Sequence, residues 1–346
     1  LLFLDMSEKY ASKKVFLDCC KQNGAIVASN HKIKNVKDYK FVWPRDGAFT
    51  CMAAKRLGVV DIQEKFFRWC MKTEGWNKTG LLYKKYKTNG VKVRQSFQSD
   101  NTGMVLIAVH DFYLGKKIPK DIQKFIIKTA NGLCKIWNGK SFSVVNEDCW
   151  EERKSFPELG QNFTFSIAVC SKGLKCAYEL LGDKKWILVS NSMNKVVLSE
   201  KDFFRRKTGK LSDDNVDASL LGLVWPCEIV SAKDKRMVKT VKIIENSFGK
   251  GFKVHRYDND EYDGWMINGV QAKQGAGYWP LLNFWMSIYY LKKGNKNKAM
   301  KYYDQVLKDV KGSKIPEQVF DNKIQKSVTP LCWSHSMFVF VKSQSI

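Results

Sequence analysis

Two kinds of apolar pattern alternate along this chain of 346 residues. In the first, apolar residues fill nearly every position: "DGAFTCMAAKRLG" from residue 46, "NTGMVLIAVHDFYLG" from 101, "NFTFSIAVCSKGLKCAYELLG" from 162, "VDASLLGLV" from 216, "YWPLLNFWMSIYYL" from 278 and "TPLCWSHSMFVFV" from 329. In the second, they recur at helical spacing on one face while Lys, Glu and Asp occupy the other. These segments are "SEKYASKKVFLDCCKQ", "DIQEKFFRWCMKT", "DIQKFIIKTANGLCKIW", "DKKWILVSNSMNKVVLS", "AKDKRMVKTVKIIENS" and "NKNKAMKYYDQVLKDV". The all-round segments start 51 to 62 residues apart, the spacing of a repeated helix pair.

A helix apolar on every side must be buried on every side, whereas a one-sided helix covers a core from outside. Six of each, alternating, predict an all-α fold of two concentric rings, an (α/α)6 barrel. The segment 80–97, "GLLYKKYKTNGVKVRQSF", breaks the repeat; its alternation predicts a β-hairpin.

If outer and inner helices alternate, all inner helices run the same way and their N-terminal ends share one face. The residues just before them are "FVWPRD" (41–46), "FQSD" (97–100), "EDCWEER" (147–153), "LSDDNVD" (211–217), "RYDNDEYDGW" (256–265) and "IPEQ" (315–318). Gathered at one end of a barrel, they predict an acidic, tryptophan-rich pocket.

Charge and composition narrow the classes. Lys plus Arg number 59 against 34 Asp plus Glu, a net charge of +25, which alone points to an anionic partner. The lysines are scattered in ones and twos along amphipathic faces and no nucleic-acid-binding motif accompanies them, so no nucleic-acid partner is expected. No apolar run approaches the roughly 18–20 residues of a membrane span, and no membrane partner is expected. Ten cysteines without a CxxC pair, beside only four histidines, argue against a metal site and predict free thiols in a reducing, cytoplasmic setting. The chain begins at Leu1 rather than Met, which leaves a preceding signal or N-terminal β-domain open. No cofactor is expected; oligomeric state is unknown.

Candidate chemistry concentrates in "VNEDCWEER" (145–153), where four carboxylates crowd one indole. Paired carboxylates with flanking aromatics equip a site for glycosidic cleavage: one acid protonates the leaving oxygen and a second carboxylate acts on the anomeric side. Four motifs in order, "VWPRD" (42–46), "DCWEER" (148–153), "VDASLLGL" (216–223) and "PEQV" (316–319) followed by "SVTPLCWSHS" (327–336), make the chain resemble glycoside hydrolase family 15, the glucoamylase family.

The resemblance implies one catalytic (α/α)6 domain over residues 1–346, with Glu151 as general acid and Glu317 as the base that activates water. It places Trp43, Arg45 and Asp46 at the terminal glucose, Gln98 and Asp100 among the substrate-binding groups, Trp150 and Glu152 beside the acid, and Arg256 at a further subsite. The implied activity is an inverting, exo-acting α-glucosidase that releases glucose from α-glucans or malto-oligosaccharides. Trehalose or α-1,6-linked glucans are alternative substrates. A non-catalytic glucan-binding barrel, as in the related domains of phosphorylase kinase, is a further alternative, and predicts loss of a carboxylate that this chain keeps. Two departures stand out: Cys149 replaces the usual Leu, and residues 257–277 are longer and less aromatic than the family's compact form.

Other residues read more plainly. Apolar neighbours assign Trp225, Trp279, Trp285 and Trp333 to the core, His335 reads as a satisfied inner-helix histidine, and "SDDNVD" reads as a helix cap. Burial against Trp150 and repulsion from nearby carboxylates predict a raised pKa for Glu151, with Arg153 diverted to Glu152 or Asp148.

Overall fold

Where the chain passes from polar loop to all-round apolar helix, proline twice marks the start. Pro44 and Pro280 occupy the first turn of their helices, and the residues before them, Trp43 and Trp279, are extended. Proline lacks an N–H that a first turn does not need, and its ring excludes helical backbone from the preceding residue. The computed structural model describes residues 11–209 and 213–344; residues 7–10 of the first outer segment and 211–212 of "LSDDNVD" lie outside them.

Twelve α-helices occur among the described residues: α1 (Ser12–Cys19), α2 (Pro44–Arg56), α3 (Ile62–Cys70), α4 (Trp76–Thr79), α5 (Ser99–Tyr113), α6 (Lys120–Lys135), α7 (Thr164–Leu181), α8 (Lys184–Leu198), α9 (Lys235–Ser247), α10 (Pro280–Lys293), α11 (Lys296–Asp309) and α12 (Cys332–Gln344). The all-round apolar segments form the inner ring. Contacts run from α2 to α5, α5 to α7, α7 to a 3-10 turn at Ala218–Leu223, that turn to α10, α10 to α12, and α12 back to α2. The one-sided segments lie outside: α1 on α12, α3 on α2, α6 and α8 on α7, α9 on the 3-10 turn, and α11 on α10. This is the predicted (α/α)6 barrel.

The tightest joint in the ring is α5 against α7. A Cβ on Gly103 would lie 2.7 Å from the Val169 carbonyl oxygen, and one on Gly173 would lie 2.7 Å from the carbonyl oxygen of Gly103. Two glycines facing each other let the backbones touch.

One expectation needs correction. The fourth inner element is a six-residue 3-10 helix rather than a helix of several α-turns; Pro226, three residues beyond its end, can donate no backbone hydrogen bond to prolong it. The segment 80–97 does fold back as a short antiparallel hairpin, without a regular strand. Its turn closes through Lys87 N to Val91 O and Val93 N to Lys85 O, but only Tyr86 and Lys92 form a bridge. Lys84 N to Ser96 O at 3.2 Å carries the pairing outward, while Leu82 N donates to Thr102 Oγ1 and Tyr86 N to Val42 O.

The strands among the described residues are three two-residue antiparallel pairs: β1 (Asn146–Glu147) with β2 (Lys154–Ser155), β3 (Asn162–Phe163) with β4 (Lys207–Thr208), and β5 (Met266–Ile267) with β6 (Val270–Gln271). The β5–β6 turn is Asn268-Gly269, both with positive φ, the turn that "NG" between apolar residues favours. The β1–β2 pair brackets "DCWEER". All ten cysteines are free thiols, nine of them buried, and no helix among the described residues is long and apolar enough to cross a membrane.

Candidate active site

The turn between β1 and β2 is built around one carboxylate. Asp148 Oδ1 accepts from the backbone N–H of Glu152 at 2.8 Å and of Arg153 at 3.1 Å, and Asp148 Oδ2 meets Arg153 Nη1 at 3.3 Å. The wrapped turn forces Glu151 into left-handed backbone, φ 64°, a conformation that costs a non-glycine residue free energy and recurs at functional sites. The other carboxylates separate by partner. Glu147 takes Lys84 at 2.8 Å, and Glu152 takes Arg256 at 2.6 Å and the Tyr257 hydroxyl. Glu151 accepts from Trp43 Nε1 and lies 3.3 Å from Lys84 Nζ.

Glu317 comes from the loop before α12. Its backbone N–H donates to Val328 O at 2.8 Å, and its Oε1 accepts from the Tyr39 hydroxyl at 2.5 Å. Tyr39 also contacts the Tyr262 hydroxyl at 2.6 Å. The loops carrying these tyrosines are pinned together by Lys37 N to Gly264 O and Met266 N to Asn35 O. The other oxygen of Glu317, Oε2, is buried and has no hydrogen-bond partner among the described residues. It is a free acceptor at a cavity wall.

Glu151 and Glu317 line one cavity together with Trp43, Arg45, Asp46, Trp150 and Arg256. Arg45 is held by Asp100 at 2.6 Å and by the Cys149 carbonyl at 3.1 Å, over the Trp333 ring at 5.1 Å. Arg256 is clamped by Asp260 through Nε at 2.8 Å and Nη2 at 2.6 Å. Gln98 and Asp100 stand outside the lining. Asp100 grips Arg45 from behind, and Gln98 donates to the Asp148 carbonyl at 2.5 Å, so both position other residues. Glu152 lines the adjoining outer cavity instead.

Trp279 and Trp333, assigned to the core by their apolar neighbours, line the cavity. Trp150 packs on both, edge-on to Trp279 at 6.0 Å and stacked on Trp333 at 6.2 Å. The signal missed for Trp279 is a Trp-Pro at the start of an inner helix, as at Trp43, where the proline holds the tryptophan before it extended; Trp225-Pro226, which follows its inner turn instead, does not share that place. Trp225 and Trp285 are buried away from the cavity lining. His335 is satisfied: its Nδ1 lies 2.9 Å from Ser12 Oγ, and its Nε2 accepts from Ile315 N at 2.9 Å. Asp217 does cap its turn, accepting from Ser219 N at 3.0 Å. Tyr39, Tyr262, Lys37 and Lys84 carry no motif that marks them in the sequence.

The electrostatics differ from expectation. Burial pushes the Glu151 carboxyl up, but Lys84, Lys37 and Lys85 and the Trp43 N–H outweigh it and hold the group below its ordinary value. Burial pushes Glu317 up to about 7, against the Tyr39 hydroxyl, Lys37 and Arg256. Asp46 rises to about 6, again through burial and against Arg45. Of the two carboxyls, Glu317 therefore keeps its proton to the higher pH. Nor is the pocket acidic: its lining sets Asp46, Glu151 and Glu317 against Lys37, Arg45 and Arg256. Arg153 does turn to Asp148 and Glu152.

The family model of glycosyl hydrolases family 15 matches residues 17–332. An uncharacterized glycosyl hydrolase of Methanocaldococcus jannaschii is 28% identical over 363 residues, covering 96% of this chain and 54% of its own length. Trehalase 1 of Sulfolobus acidocaldarius is 26% identical over 307 residues, covering 78% of this chain and 50% of its own. The chain thus spans about half the length of these relatives. Among solved structures, a glycosidase variant in complex with glucose has a TM-score of 0.78 at 19% identity, covering 96% of this chain and 94% of that one. A bacterial glucoamylase complexed with acarbose has a TM-score of 0.74 at 19% identity, covering 95% and 54%. With the two glutamates in one aromatic cavity at the shared end of an (α/α)6 ring, and the family match spanning nearly the whole chain, this chain belongs to glycosyl hydrolases family 15.

Proposed function

We propose that this chain is an inverting, exo-acting α-glucosidase that removes glucose from the non-reducing ends of α-glucans or malto-oligosaccharides. The observation that carries the reading is the pair Glu151 and Glu317 on the wall of a single cavity, one beside an indole N–H and lysines, the other with a buried, unpartnered oxygen. Glu151 gives a proton to the glycosidic oxygen as that bond breaks. A water held at Glu317 Oε2 loses its proton to the carboxylate and attacks the anomeric carbon from the other face, inverting it. Arg45 and Asp46 receive sugar hydroxyls, and the faces of Trp43 and Trp150 cover the apolar side of the ring.

The trehalase relative, at 26% identity over 78% of the chain, supports trehalose as the alternative substrate on the same machinery. Glucose released from maltose, isomaltose, trehalose and soluble starch separates the two readings. Glucose from maltose and starch supports the first, glucose from trehalose alone supports the second, and release from none by folded protein contradicts both.

A further inference from the structure

The segment that breaks the helical repeat builds one wall of the outer cavity. Lys84, Lys85 and Arg94 come from residues 80–97, Lys37 from the loop before α2, Arg153 from the β1–β2 turn, and Lys273 from beyond β6. Against these six cations the outer cavity sets three carboxylates, Glu151, Glu152 and Glu261. Lys84 is engaged with Glu147 and Glu151, and Arg153 with Asp148 and Glu152. The other four, Lys37, Lys85, Arg94 and Lys273, have no carboxylate partner among the described residues.

Two of those four are not free surface lysines. Lys85 is half-buried, with its ammonium 4.9 Å from the Phe41 ring and 4.8 Å from the Trp43 ring. Burial lowers its pKa; Glu151 opposes that shift, while Lys37, Lys84 and Arg94 add to it. Lys37 is half-buried over Tyr262 at 5.2 Å. Gathering like charges and withdrawing them from water, unpaired, costs free energy that a bound anion would return. The place where an anion would do so is defined by the inner cavity: Lys37, Trp150, Glu151 and Tyr262 line both cavities. Glu151 stands at the glycosidic oxygen in the reading above, so the outer cavity is where the departing part of the substrate lies.

We propose that the substrate is an α-glucoside whose leaving group carries an anion, a phosphate or carboxylate on the sugar or polyol split from the terminal glucose, received by Lys37, Lys85, Arg94 and Lys273. This rests on the glycosidase reading and names its substrate class. It also gives the lysines a part in proton transfer. Glu151 is faced by Lys84 and Lys85 from residues 80–97, Lys37 from the loop before α2, Asp46 at the start of α2, and Tyr262 from the loop before α10. The three lysines hold Glu151 ionised, the wrong state for a general acid. An anionic leaving group offsets their field and returns the proton to Glu151 when the substrate that needs it is bound.

Hydrolysis of α-glucosyl fluoride, which has no sugar leaving group, tests the glycosidase reading by itself. Three matched pairs then test the leaving group: maltose and maltose phosphorylated on O6 of its reducing glucose, trehalose and trehalose 6-phosphate, glucosylglycerol and glucosylglycerate. At least one anionic member is expected to exceed its neutral partner in kcat/KM by about tenfold or more, with the advantage shrinking as salt is added. The preference is expected to fall in the Arg94→Gln/Lys273→Gln variant, and the alkaline limb of the pH profile to lie higher for the anionic member. Fluoride hydrolysis with no anionic member preferred overturns the proposal and leaves the glycosidase standing. Inorganic phosphate raising a neutral substrate to the level of its phosphorylated partner also overturns it, by assigning the site to a free anion. A folded protein inert toward the fluoride removes the glycosidase reading, and the proposal with it.

Discussion

Asp46 is buried between Arg45 and the cavity, 3.9 Å from Arg45 Nε. A sugar hydroxyl bound there has no water to replace it, so Asp46→Ala is expected to lose about 2–5 kcal/mol of transition-state stabilisation. Measured kcat/KM within twofold of the parent would contradict that role. Glu151→Gln removes the proton donor alone. It is expected to abolish cleavage of glucosides with poor leaving groups while α-glucosyl fluoride, whose departure needs little protonation, is still turned over; equal loss on both would move the acid to Glu152. Glu317 has a stability signature of its own. Its carboxyl is raised from an ordinary 4.5 to about 7, so the folded chain holds this proton more tightly than the unfolded chain. The stabilisation is complete below pH 4.5 and lost as pH rises through 7. Glu317→Gln, neutral at every pH, is therefore expected to be more stable than the parent at pH 8, on the order of 3 kcal/mol, and to match it at pH 4. Denaturant midpoints at the two pH values check this, and a parent as stable as the variant at pH 8 would contradict it.

At the scale of elements, the inner ring depends on the contact of α5 with α7 through Gly103 and Gly173. A methyl at residue 103 meets backbone atoms, which cannot rotate away. Gly103→Ala is expected to destabilise by about 1–3 kcal/mol despite alanine's better helix propensity, read as a lower thermal midpoint; an unchanged or higher midpoint would contradict the close approach. The helices were legible because burial on all sides and burial on one side leave different periodicities, and the period of 51 to 62 residues orders them. The fourth inner element escaped that logic. "VDASLLGLV" is as apolar as the other inner segments, and only Pro226 tells that it stops after a short 3-10 stretch. The three short strand pairs were not legible, since two residues are too few to alternate, although "NG" at 268–269 marks the β5–β6 turn.

For the whole molecule, the Glu151–Glu317 pair and the Arg45–Asp46 pair were legible because each residue lies in a compact motif, Arg45 and Asp46 in the first turn of α2, Glu151 in the β1–β2 turn and Glu317 in the loop before α12. What surrounds them was not. Tyr39 and Tyr262 meet only because two loops more than 200 residues apart are laced together, and of the lysines that lower the Glu151 carboxyl, Lys84 and Lys85 come from the segment that fits no repeat and Lys37 from the loop before α2. Single residues in long loops leave no period to read. The central claim, that Glu151 and Glu317 act as acid and base on the terminal glucose with inversion, is tested most directly by following a turned-over α-glucoside by proton NMR in the first minutes of reaction. The account predicts that β-glucose appears first and mutarotates to the equilibrium mixture, and that neither anomer appears with Glu317→Gln. Initial release of α-glucose would contradict it.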